Sequence, residues 1–354
     1  MQIILKPIGV QVVVVFGASS GIGRITALEF AKRGAKVCVA ARGEEGLKSL
    51  VAEIEASGGG AFYVVADAAD FEQVQNVAEK TVERYGRLDT WIHSAAAFMF
   101  ATVEQTEPAE YKRLFEVNLL GQIHGAKAAL PHLKEKGGAL IHLTSVEAWR
   151  GVPFQSAYVA SKHGVHGFLQ VLRVELKHEQ IPVSVTEILP AAINTPIYDK
   201  GANKMPFKPR AVPPLYHPKV VADAIVFAAE NPIDDLIAGG AGLGVVLAER
   251  FSPAVAGWFS EKIGFTAQKT DEASDGDYEG SLFEPVSGFD TIEGRFSDEQ
   301  FSSDPYTYLK TNPKVTNTLL AAAGAVLGGV LLWRARKSEK LKNQKLKVDG
   351  LFKS

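Results

Sequence analysis

The sequence predicts an α/β protein whose parallel sheet is covered by helices on both faces. Three observations carry this expectation. Short β-branched runs alternate with longer stretches of helical period from Gln11 to about residue 250, the pattern of strands joined by crossover helices. A glycine-rich turn, "GASSGIGR" (17–24), sits at the first junction between such a run and such a stretch. The composition, 46% hydrophobic and 22% charged over 354 residues, suits one large globular domain or two smaller ones.

The first strand is expected at 12–16. It is entered from an apolar segment that Lys6, Pro7 and Gly9 interrupt, so the N-terminus does not read as a cleavable signal. Further strands are expected at 36–41, 61–65, 90–93, 139–144 and 183–189, and helices at 24–33, 43–57, 71–85 and 108–130. The lone cysteine, Cys38, falls inside the second strand, where it reads as a buried structural thiol and permits no internal disulfide. A net charge of −2, with no long basic patch in the first 250 residues, gives no reason to expect nucleic acid as a partner.

After residue 265 the composition shifts. Residues 266–315 are polar, acidic and rich in Gly, Ser, Asp and Pro, which reads as a flexible linker following a catalytic domain of residues 1–265. Residues 316–333 carry no charge, and the tail at 334–354 is basic. About 20 apolar residues cross a bilayer, so a single transmembrane helix is expected here, bordered by Trp333 and Arg334, with Gly324 and Gly328 as a small-residue packing pair. The other reading is a soluble helix docked on the main domain. Charge bias would put the basic tail in the cytoplasm and residues 1–265 on the other side; the glycine-rich turn, read next, argues for residues 1–265 in the cytoplasm and is the stronger argument.

Gly17, Gly21 and Gly23 follow a strand and open a helix. That context lets backbone N–H groups and a helix N-terminus approach a pyrophosphate. The spacing G-x-x-x-G-x-G is by itself also compatible with a plain tight turn. The second strand ends at Ala41-Arg42, with no acidic residue to hydrogen-bond a ribose 2′-hydroxyl and repel a 2′-phosphate. Arg42, with Arg24 just past the loop, offers guanidinium forks to a phosphate, which favours NADP(H) over NAD(H). Asp67 closes the third strand, where it meets the adenine end of a dinucleotide, caps the next helix, or does both.

Tyr158 and Lys162 stand at i and i+4, side by side on a helix. A phenol has an unperturbed pKa of about 10, and an ammonium beside it is expected to lower that value toward general-base chemistry. Ser145, at the end of the preceding strand, can hold a substrate oxygen. A Y-x-x-x-K alone is a weak signal. With the glycine loop and the strand-end serine it becomes specific.

Through these residues the sequence resembles the short-chain dehydrogenase/reductase family over residues 10–250. Asn118 in "FEVNLLG" and the segment "LPAAINT" (189–195) match as well. The resemblance implies a Rossmann-type doubly wound sheet and a catalytic set of Asn118, Ser145, Tyr158 and Lys162. In it the tyrosine is the general acid/base, and the lysine also binds the nicotinamide ribose. The serine orients the substrate, and the asparagine holds a proton-relaying water. It implies a cofactor set of Gly17, Ser19, Ser20, Gly21, Ile22, Gly23, Arg24, Arg42, Asp67, Ala95, Pro190, Ile193 and Thr195 beside Tyr158 and Lys162, and packing of the tyrosine helix against a second subunit, hence a dimer or tetramer. Three positions depart from the family pattern. Phe16 replaces a threonine, His93-Ser94-Ala95-Ala96 replaces Asn-Asn-Ala-Gly, and Pro190-Ala191 replaces Pro-Gly. The second change removes an amide that ties neighbouring strands together; His93 either replaces that bond or is a satisfied core histidine, the latter being favoured.

The substrate side is expected to use Ser145, Trp149, Phe154 and Tyr158, covered by the loop 196–216. His163 and His166 share a helix face, but no further ligand converges on them, so no metal site is expected. Residues 244–265 are apolar with few charges and read either as core or as a membrane-surface element. The resulting expectation is an NADP(H)-dependent enzyme interconverting a carbonyl and an alcohol, with a lipophilic small molecule as substrate. A membrane-tethered scaffold or sensor with little catalysis, and an epimerase or dehydratase on the same fold, are the alternatives.

Overall fold

The computed structural model describes residues 3–323 together with Leu327, Leu331, Trp333 and Arg334. The chain divides into two compact units, Met1–Thr307 and Tyr308–Ser354. The first is built on strands β1 (Val12–Phe16), β2 (Lys36–Ala41), β3 (Gly60–Val65), β4 (Thr90–His93), β5 (Gly138–Leu143), β6 (Val183–Pro190) and β7 (Asp235–Ala238). They form a seven-stranded sheet in the order β7-β6-β5-β4-β1-β2-β3, with parallel pairing throughout. The sheet reverses direction of growth between β1 and β4, and ligands of such folds bind in the crevice outside the strand ends at that point.

Alternate residues of each central strand serve opposite faces. Val13, Val15, Val37, Val39 and Ile141 pack with α1 (Gly21–Lys32), α2 (Glu44–Ala56) and α8 (Lys219–Ala228). Val14, Phe16, Cys38, Trp91 and Leu140 pack with α3 (Phe71–Tyr85), α5 (Gly121–Leu133) and α6 (Ser156–His178). Both layers are therefore apolar, which is why the strands are buried on both sides. The expected helix at 108–130 is interrupted: α4 (Pro108–Phe115) leads into a π turn over Glu116–Leu120 before α5 begins. Such turns widen the hydrogen-bond ladder and gather at functional sites.

The stretch expected to be a flexible linker is folded. After the short helix α7 (Ile197–Lys200), residues Phe207–Pro209 pair antiparallel with Lys269–Ala273, and Leu215–Tyr216 pair with Gln300–Phe301. Leu282 is only 1% exposed, and Phe296 packs on Ala211 and Leu215. A polar composition hid a few apolar anchors and two strand pairings, and the first unit runs to Thr307 rather than ending at 265. Residues 244–265 form most of two helices, α9 (Gly240–Phe251) and α10 (Pro253–Ala267). No helix among the described residues is long and apolar enough to cross a membrane. The expected span over 316–333 has no counterpart there, and part of it, Gly324 and Gly328 included, lies outside the described residues.

Candidate active site

Two adjoining cavities open at the C-terminal edge of the sheet. The first, of about 510 Å³, is a cleft lined by Gly17, Ser19, Ser20, Gly21, Ile22, Arg42, Asp67, Ala95 and Thr195. The second, of about 490 Å³, holds Ser145, Tyr158 and Lys162 with Pro190 and Ile193. Ile22, Ser94, Ala96, Thr195 and Ile197 border both.

The glycine loop is shaped by close approach. Gly17 has φ +90°, and a Cβ there would stand 2.3 Å from the Ala95 amide nitrogen, while one on Gly23 would stand 2.2 Å from the Gly17 carbonyl oxygen. Only hydrogen fits at either position. Gly23 thus seats α1 against the loop and does not itself line the cleft.

Neither arginine expected to hold a phosphate is free to do so with its fork. Arg24 is buried and donates to the Gly46 carbonyl (3.2 Å), Ser49 Oγ (3.0 Å) and Glu53 Oε2 (2.7 Å), and it does not line the cleft. Helix α2 lies close enough to α1 to claim it, which the sequence did not reveal. Arg42 reaches the cleft, but it donates to the carbonyls of Ser281 (2.5 Å) and Phe283 (2.6 Å). These carbonyls belong to a strap, residues 281–291, that runs along the cleft through Pro285, Val286, Phe289 and Asp290. Thr291 accepts from the Gly21 amide at 2.9 Å. Asp67 pairs with Arg113 at 2.6 Å and accepts from the Ala69 amide. Helix α3 is capped instead by Asp70, whose side chain accepts from the Gln73 amide.

In the second cavity, α6 carries Tyr158 and Lys162 one turn apart. The Lys162 ammonium donates to the Leu143 carbonyl at 2.8 Å and lies 5.4 Å from the centre of the Tyr158 ring. Burial lowers the Lys162 pKa to about 8. Tyr158 departs from expectation. Burial, then the charges of Glu147 and Tyr198, push its pKa well above 10.0, and the Ser145 hydroxyl opposes them only in part. The phenol is therefore neutral where the sequence led to a phenol lowered by its lysine, because desolvation outweighs a distant ammonium. Asn118, on the π turn, is fully buried. Its Oδ1 accepts from the Ala97 amide (2.7 Å), and its Nδ2 donates to the Ala97 carbonyl (2.9 Å) and to Ser161 Oγ (3.2 Å). Its amide fixes the loop after β4 to α6.

Two expected substrate contacts do not line the cavity. Trp149 packs against the His166 ring (centroids 5.0 Å apart) and the cluster of Val146, Leu189 and Val246. Phe154, at φ 68°, turns into an aromatic cluster with Phe100, Phe207 and Phe265. The lining comes instead from Val146 and Val152, from Tyr198 and Val212 of the 196–216 loop, and from Val245, Ala248, Phe259 and Ile263 of α9 and α10. Residues 244–265, left open by the sequence, thus supply a cavity wall. Glu147 is the residue sequence reasoning missed. It borders this apolar cavity, its Oε2 is buried without a hydrogen-bond partner, and burial raises its pKa to about 8. Its place two residues after Ser145 was the available signal.

The altered β4 motif is also accounted for. His93 is buried and stacks on Phe16 (centroids 5.0 Å apart), but neither ring nitrogen has a partner among the described residues. It is neither the expected strand tie nor a satisfied histidine. The tie comes from Gln122 on α5, which donates to the carbonyls of Leu143 (3.1 Å) and His93 (3.4 Å) and accepts from His142 Nδ1 (2.7 Å).

A doubly wound sheet, a glycine loop at its first β–α turn and a Ser–Tyr–Lys group at the neighbouring cavity define a class, the dinucleotide-dependent α/β oxidoreductases. The family model for short chain dehydrogenases matches residues 11–205, and the chain belongs to that family. It is 36% identical over 339 residues to an uncharacterized oxidoreductase, YxnA, of Bacillus subtilis (strain 168), with 94% of this chain and 92% of the relative covered. It is 32% identical over 225 residues to the 3-oxoacyl-[acyl-carrier-protein] reductase FabG of Thermotoga maritima, covering 62% of this chain and 91% of the relative. Among solved structures it resembles an alcohol dehydrogenase of the archaeon Thermococcus sibiricus, complexed with 5-hydroxy-NADP, at a TM-score of 0.57 and 27% identity, covering 64% of this chain and 95% of that one.

Proposed function

We propose that this oxidoreductase uses NADP(H) to interconvert a carbonyl and an alcohol, with Tyr158 as the general acid/base. The observation that carries the reading is the position of Ser145, Tyr158 and Lys162 in a cavity that shares the wall of Ile22, Ser94, Ala96, Thr195 and Ile197 with the glycine-loop cleft. A dinucleotide lying on the loop would direct its far end through that shared wall.

When bound, the nicotinamide dinucleotide supplies or accepts the hydride. The protein's part is position and proton. Ser145 and Tyr158 both present hydroxyls to the substrate oxygen. A neutral Tyr158 is the form that would donate a proton as a carbonyl oxygen gains charge. Lys162, held on the Leu143 carbonyl, would supply positive charge behind the phenol, and on this reading it would also hold the nicotinamide ribose. Asn118 holds Ala97 and Ser161 and thereby the spacing between the loop after β4 and α6. The NADP(H) preference is supported by Ala41-Arg42 at the end of β2, where no acid stands, although the Arg42 fork is already bonded to the strap. The apolar lining of the substrate cavity fits a bulky lipophilic carbonyl or alcohol.

Replacing Tyr158 with Phe is expected to abolish turnover of aldehydes and ketones while leaving NADPH binding nearly intact. Appreciable residual turnover in that variant would remove Tyr158 from the chemistry.

A further inference from the structure

We propose that Lys200 clamps the pyrophosphate of the dinucleotide onto the glycine loop, an assignment that rests on the cleft being a dinucleotide site. Lys200 ends α7, within the 196–216 loop expected on the substrate side, yet it lines the other cleft beside Ser20, Gly21, Ile22 and Arg42. Its ammonium donates to Ser20 Oγ at 2.7 Å. Among the described residues it forms no ion pair, whereas most other cations near the cleft are accounted for: Arg24 by Glu53 and Arg113 by Asp67. Arg42 spends its fork on strap carbonyls.

The surroundings point the ammonium at an anion. Ser20 is the N-cap residue of α1, but its side chain caps no backbone amide; its hydroxyl oxygen takes the Lys200 proton instead. The start of α1 thus faces Lys200 across the loop, and a twelve-residue helix presents partial positive charge there. The strap closes the third side, with the Thr291 carbonyl fixed to the Gly21 amide. Burial and the nearby Arg42 charge pull the Lys200 pKa down to about 8. A cation paired only with a hydroxyl and repelled by a neighbour is poorly stabilised until an anion arrives. The pyrophosphate is the anionic group that NAD(H), NADP(H) and ADP share, and a loop before a helix N-terminus is where such a group would lie. The 2′-phosphate belongs at the Ala41–Arg42 corner.

The test is calorimetric titration of the full chain with NAD+, NADP+, ADP and 2′-AMP, on wild type and on Lys200→Met, Lys200→Gln and Lys200→Arg. The two neutral variants are expected to lose roughly 10- to 100-fold in affinity for NAD+, NADP+ and ADP alike, the loss of one charge-assisted hydrogen bond. They should bind 2′-AMP as wild type does, and Lys200→Arg should recover most of the affinity. ADP binding to wild type should weaken as pH rises past about 8, and that of Lys200→Arg should not. Unchanged ADP affinity in the neutral variants overturns the assignment. So does a loss confined to NADP+ and 2′-AMP, which would put the ammonium on the 2′-phosphate. A wild type that binds none of the four overturns the dinucleotide reading itself. A wild type that binds them while Tyr158→Phe still turns over leaves Lys200 standing and removes only the proposed chemistry.

Discussion

Glu147 and Tyr158 line one apolar cavity, where burial makes the ionisation of either costly. The Glu147 charge pushes the phenol's pKa upward, so Glu147→Gln should lower it. Alcohol oxidation requires the phenolate, and its pH–rate profile should therefore shift toward lower pH in the variant, while carbonyl reduction near neutrality changes little. An unmoved profile would separate Glu147 from the proton-transfer step. The i, i+4 spacing of Tyr158 and Lys162 was legible because a helix fixes which residues share a face. Trp149 and Phe154 were not, because following a catalytic strand in sequence does not say where a ring points. At Phe154 a left-handed backbone turns the ring into the cluster with Phe265. Arg24 and Arg42 were placed correctly along the chain, but their partners were not legible: Glu53 on α2 holds Arg24, and carbonyls of a segment some 240 residues away hold the Arg42 fork.

The strap shows the same limit for elements. Periodicity located the sheet strands through β6 within a residue at either end, because each is a short run rich in apolar and β-branched residues. It missed β7, which is only four residues long and begins with an exposed aspartate. It missed the strap because that segment has no period of its own; its order comes from Leu282 and from the carbonyls that Arg42 and Arg113 bind. Leu282 is the apolar anchor. Leu282→Ala is expected to cost about 2–5 kcal/mol if the strap unfolds with the domain, read by chemical denaturation, and to speed dinucleotide release in stopped flow. A variant that matches wild type in both would mean that the strap is held by its polar contacts alone.

For the molecule as a whole, two imidazoles in the sheet layer set the acid limit. Burial lowers His142 to about 3 and takes His93 well below its ordinary 6.5. Unfolded histidines bind protons below about 6.5, while these two stay neutral in the fold. Each therefore contributes stability that is complete above that pH and declines as the pH falls below it, for His142 over the window down to about 3. Each should steepen the loss by up to about 1.4 kcal/mol per pH unit. Urea midpoints measured from pH 7 to 4 should fall accordingly, and His142→Gln should flatten the decline. A pH-independent midpoint would mean that the unfolded chain protects these rings as well.

Five residues, Ile22, Ser94, Ala96, Thr195 and Ile197, form a wall common to both cavities. A molecule bound in either cavity would rest against Thr195 and Ile197 and so touch the wall of the other. On the proposed function, equal substrate affinity with and without NADPH would show that the shared wall transmits nothing between the two cavities.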